Sequence, residues 1–171
     1  MKRPHLIRIA VSIPLALLLH TTWVQKLRFG GGSCDLMGAV AVSFGLLHGP
    51  EVGLGTGLAG GLLMDLLNSR FIGLCALTRG GMGVAAGLLG KRVFKENLLV
   101  TGTVGFVAAF GSELLGAVVI RASGVALDVA AFLGTALAVG LLNFVATPLL
   151  FYILWRDKVR VDSRDSAVIV E

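Results

Sequence analysis

Apolar runs dominate this chain, and their lengths suit a bilayer better than a soluble core. They lie at about 6–24, 35–48, 51–67, 72–90, 97–120 and 127–155, separated by short charged or glycine-proline breaks. A membrane-spanning helix needs roughly 20 mostly apolar residues, about 17 at the short end. Only 15% of the 171 residues are charged and 56% are hydrophobic, whereas a soluble domain carries about 25% charge. The expected fold is an all-α integral membrane protein with about six transmembrane helices. Residues 1–156 form its single helical domain, and 157–171 form a charged, mobile cytoplasmic tail. The runs 35–48 and 51–67 cover only about 20 to 26 Å as helices. A re-entrant hairpin is the alternative for that pair.

The net charge of +5 would suggest a nucleic-acid partner in a soluble protein. Here the basic residues sit in clusters between apolar runs. There they act as orientation signals and as contacts to the lipid bilayer, and no nucleic-acid partner is expected. With six spans, Lys2, Arg3, Arg8, Lys91, Arg92, Lys95, Arg156, Lys158, Arg160 and Arg164 share one side. Lys26, Arg28, Arg70 and Arg121 lie on the other, and Arg79 lies within the fourth span. This bias places both termini in the cytoplasm. The opening MKRPHLIRIAVSIPLALLLHTTW has the form of a signal peptide. It lacks a small-x-small cleavage site, so an uncleaved first helix is expected, with Pro14 able to kink it. The GGSC of 31–34 is separated from the apolar run by Lys26 and Arg28, which spoils a lipoprotein site.

The third span is unusually rich in glycine. Gly53, Gly57 and Gly61 are spaced by four, and Asp65 continues the series. Residues four apart share a helical face, and a stripe without side chains lets another helix approach closely. The docked helix belongs either to this chain or to a partner. The Gly55-x-Gly57-x-x-Gly60 within it has the form of a dinucleotide fingerprint, but no strand precedes it and the segment is buried in an apolar run.

Ionisable groups inside spans are costly unless paired or hydrated. Asp65, Arg79 and Glu113 all fall in the outer half of the membrane, with Arg79 and Glu113 at similar depth. A buried Arg79–Glu113 ion pair is the leading expectation. A solute or proton site and a partner-facing contact are the alternatives. Asn143 is expected to hydrogen-bond between helices. Cys34 and Cys75 are expected as small buried thiols, and His5, His20 and His48 lack metal-ligand spacing. No nucleophile-base arrangement or phosphate loop is present, so no enzyme activity, cofactor or metal is expected.

The stretch CDLMGAVAVSFGLLHGPEVGLGTGLAGGLLMDLLNSRFIG resembles the core of the rod shape-determining protein MreD family. The likeness rests on Asp35-Leu36, on the Leu-x-Asp-Leu-Leu of 63–67, and on Ile72-Gly73. It rests also on the ending LLNFVATPLLFYILWR, with Asn143 and Pro148 in place. Cys34 stands where that family often has proline. The resemblance implies a non-catalytic membrane scaffold of the bacterial cell-wall elongation complex, maintaining rod shape in the cytoplasmic (inner) membrane. Its implied partners are an MreC-like protein and, through it or directly, MreB, RodA and penicillin-binding protein 2. That family is similar in fold to the substrate-binding subunits of energy-coupling-factor vitamin transporters. The alternative function is therefore a small-solute transporter subunit, which requires polar side chains gathered at one depth.

Overall fold

The breaks between apolar runs become helix ends. The computed structural model describes residues 14, 18, 28–29, 32–68, 72–90, 98–126 and 128–168. Five α-helices are described: α1 (Leu36–His48), α2 (Pro50–Asn68), α3 (Leu74–Leu89), α4 (Leu98–Ala122) and α5 (Val129–Val168). Of the expected first span only Pro14 and Leu18 are described, both helical. The rest of that span lies outside the described residues, so six spans reduce to five described helices.

Two segments differ from the sequence expectation. The linker before α1 contains an antiparallel hairpin, β1 (Arg28–Phe29) with β2 (Gly32–Ser33), in which Arg28 pairs with Ser33 and Phe29 with Gly32. Glycine-rich links of two residues favour this geometry. The segment 157–168, expected as a mobile tail, continues α5, which runs for 40 residues. No glycine or proline occurs after Pro148, so nothing in the sequence stops the helix. A helix of that length reaches roughly 60 Å, about twice a bilayer core.

α1 is the centre. It is apolar on every side, and Met37 to Leu47 is buried without interruption, as expected of a helix surrounded by others. α2 and α3 pack against it and against each other, and α4 and α5 form a second pair that also packs on α1. Val42, Leu46 and Leu47 of α1 meet Met82 and Ala86 of α3, Ala109 of α4, and Val139 and Phe151 of α5 in one cluster. On another side of α1, Met37, Val40 and Phe44 cluster with Met64 of α2.

The outside of the bundle is also apolar. Leu99, Val118, Leu141 and Val145 are all more than 60% exposed. The spans Leu98–Ala122 and Val129–Arg156, with mean hydropathies of 1.9 and 2.1, are long and apolar enough to cross a membrane. Leucines facing outward at this density suit lipid tails, not water.

Glycines set the helix spacing. A Cβ on Gly57 would collide with the Arg79 carbonyl and lie 2.7 Å from the Gly80 nitrogen. A Cβ on Gly61 would lie 2.5 Å from the Ala76 Cα, and one on Gly53 would lie 2.8 Å from the Gly45 Cα and against the Gly83 carbonyl. Thus α1, α2 and α3 meet backbone to backbone at Gly45, Gly53 and Gly83. The helix docked on the stripe of α2 is α3 of the same chain.

Candidate functional site

The polar groups gather where α1 and α3 begin. Asp35 precedes α1 and caps it, its carboxylate accepting from the Gly38 amide at 3.1 Å. Capping satisfies an amide that has no partner within the helix. The same carboxylate receives Nε and Nη2 of Arg79, both at 3.1 Å to Oδ1. The two side chains are only 11% and 10% exposed. A buried guanidinium suits this role because its planar fork fits a carboxylate and it is more weakly hydrated than an ammonium.

Asp65 caps the next helix. Near the end of α2, it is 3% exposed. It accepts from the amides of Gly73 at 2.9 Å, Cys75 at 3.0 Å and Ala76 at 3.0 Å. These are amides at the start of α3, where the helix dipole also favours a negative charge. Gly73 makes the turn into α3 with φ of +100°, a conformation other residues adopt at a cost. Cys75 and Arg79 lie one turn apart on α3. Asp65 thus ties α2 to the start of α3, and the Asp35–Arg79 pair ties α3 to the start of α1.

Asp65→Ala should lower stability by about 2 kcal/mol or more. One lost cap costs about 0.5–2 kcal/mol, and here three amides lose their acceptor. Thermal unfolding of the purified variant in detergent measures it. An unchanged midpoint would show that water or a neighbour replaces the carboxylate.

The expected ion pair is corrected: Arg79 binds Asp35, not Glu113. Counting along a helix gives depth. It does not give the direction each side chain takes around its helix. Glu113 is half-buried on α4, on the face that carries Gly105 and Ala109. It makes no hydrogen bond or ion pair among the described residues.

Asn143 also departs from expectation. It is 1% exposed, but its amide donates to Val139 of its own helix at 3.0 Å rather than to another helix. Among the described residues, its Oδ1 and the Thr147 hydroxyl one turn on have no partner. Both residues face Gly105 of α4. Pro148 sits within continuous helix. It cannot donate to the Phe144 carbonyl, and Gly102 of α4 packs against that oxygen.

The remaining candidates carry less. Cys34 and Cys75 are free and half-buried. Burial, and then the negative charge of Asp35, push the Cys34 thiol up to about 12, so it is not a reactive thiolate. A groove of about 440 Å³ separates α3 from α4. It is lined mainly by small and apolar side chains, with Thr78 and Ser112 supplying hydroxyls.

Sequence pattern marks Asp35 only as a family motif and assigns no role to Gly45, to Gly83, or to Gly87, where an added Cβ would collide with the Pro50 backbone. The four-residue spacing of Gly83 and Gly87 was an available signal.

Over residues 7–154 the chain matches the family described as ECF-type riboflavin transporter, S component. The chain belongs to this S-component family. No curated protein and no solved structure matches it. The family match overturns the resemblance to MreD. The scaffold role, the part in cell shape, and the partners MreC, MreB, RodA and penicillin-binding protein 2 fall with it. The motifs that carried the resemblance have general physical uses. Asp35 and Asp65 cap helices, and the glycines permit close packing, so other small membrane bundles need the same residues. An S component is part of a transporter and lies in a membrane; the family is not one of enzymes.

Proposed function

We propose that this S component captures riboflavin and passes it across the membrane with an ATPase and a T component of the energy-coupling-factor type. The observation that carries this reading is the family match over residues 7–154. The placement of charge supports it. Asp35, Arg79 and Glu113 gather toward one end of a bundle whose remaining interior is largely apolar. With six spans and both termini cytoplasmic, that end faces outward, where a scarce solute would first be met. Ligand sites commonly combine apolar walls with a few convergent polar groups.

Riboflavin fluorescence provides the test. Titrating riboflavin into purified protein in detergent should quench its emission with saturation near one equivalent, and excess biotin should not compete. Emission that falls no more than in empty detergent micelles would sink the reading. Uptake in cells should in addition require co-expression of the ATPase and T components.

A further inference from the structure

We propose that the seam between α4 and α5 opens to water at the middle of the membrane. The buried hydroxyls elsewhere in the bundle show what is unusual there. Ser43 donates to the Ala39 carbonyl at 2.7 Å, Thr56 to the Val52 carbonyl at 2.9 Å, and Thr78 to the Leu74 carbonyl at 2.9 Å. Each bonds one turn back along its own helix, which serves a hydroxyl that has no other partner in apolar surroundings. Thr147, 1% exposed, makes no such bond. One turn back lies Asn143, buried to the same degree. Its side-chain nitrogen donates to Val139, and its Oδ1 has no partner among the described residues. Between the two, the Phe144 carbonyl lacks its usual donor, because Pro148 carries no N–H. Three hydrogen-bonding groups without their ordinary partners thus share one turn, near the centre of the span Val129–Arg156.

Glycines of α4 close over this turn. Gly102 packs on the Phe144 carbonyl, and Gly105 packs on the Thr147 hydroxyl. Even a Cβ at Gly105 would collide with Thr147. Glycine brings no side-chain donor or acceptor, so the closed seam leaves these groups unserved. Lipid at that depth offers no hydrogen bonds either. A buried polar group without a partner is costly, and water that reaches it restores the bond. The seam is therefore held shut by close packing and opposed by its own polar groups. Separation of α4 from α5 would cost less here than at an apolar contact of the same size. The opened turn would offer a solute hydrogen-bonding groups midway across a largely apolar bundle. Opening does not depend on which solute is carried.

Cysteine labelling with a small charged methanethiosulfonate tests this. The reagent reacts with the thiolate and so reports water at the thiol. Protein in liposomes, with Cys34 and Cys75 changed to alanine, would carry Thr147→Cys, Leu141→Cys or Ala41→Cys. Leu141 is 62% exposed on the lipid side, and Ala41 is fully buried in α1. Thr147→Cys should react well ahead of both controls. Adding Asn143→Leu should slow that reaction roughly tenfold, the effect of one unsatisfied buried polar group on an equilibrium. With no cysteine introduced, Thr147→Val keeps the shape and removes the hydroxyl. It should raise the midpoint of thermal unfolding by roughly 2–4 °C. Labelling at 147 no faster than at 41 would mean that the seam opens only when the whole bundle does, and would overturn the inference. A lowered midpoint for Thr147→Val would show that the hydroxyl is served in the closed seam, and would overturn it as well.

Discussion

Gly57→Leu should leave almost no folded protein, while Gly55→Ala, two residues away on the same helix, should be neutral or stabilising. The difference lies in what each added side chain would meet. At Gly57 even a Cβ collides with the Arg79 carbonyl and with the Gly80 backbone. Backbone cannot rotate aside as a side chain can, so α2 and α3 would have to separate. Overpacking a core commonly costs about 1–3 kcal/mol. Here separation would also displace Arg79 from Asp35 and the start of α3 from Asp65. At Gly55 nothing lies within 4 Å, and replacing a mid-helix glycine with alanine gains about 0.5–1 kcal/mol. Size-exclusion profiles and thermal unfolding in detergent would measure both variants. A monodisperse, stable Gly57→Leu protein would show that α2 and α3 are not in backbone contact.

Arg79→Leu should destabilise the protein by about 3–5 kcal/mol, because it leaves a buried carboxylate without its partner. The double variant Asp35→Asn/Arg79→Leu should recover a large part of that loss. Asparagine removes the charge but keeps an oxygen to accept from the Gly38 amide. A double-mutant cycle read by thermal unfolding isolates the coupling. The coupling of Arg79 to Asp35 should exceed its coupling to Glu113, since Asp35 is bonded to the guanidinium and Glu113 is not. Strictly additive losses for Asp35 and Arg79 would argue that the pair does not form in the membrane.

The helices were readable from the chain because apolar runs and their breaks are local signals. Gly49 with Pro50 ends α1 and starts α2, and all four ends of α1 and α2 lie within one residue of the expected positions. The glycine stripe was readable as a docking face because a four-residue spacing fixes a face without knowledge of the partner. Its occupant was not readable: α3 and a foreign helix would require the same small residues. The likeness to MreD misleads for a related reason. Asp35, Asp65 and Gly73 resemble marks of a lineage, whereas in the structure they cap two helices and turn the chain between them.

The sequence alone determined that this chain is helical and apolar on its surface, and where most of its helices begin and end. Those properties follow from composition and short-range pattern. Only the tertiary structure decided that Arg79 meets Asp35 44 residues away, that Asp65 caps α3, and that Glu113 is left over beside them. Depth along a helix can be counted from its ends. Azimuth, the direction a side chain takes around the axis toward one neighbour or another, is set by how the helices pack together. A carboxylate's partner depends on that direction.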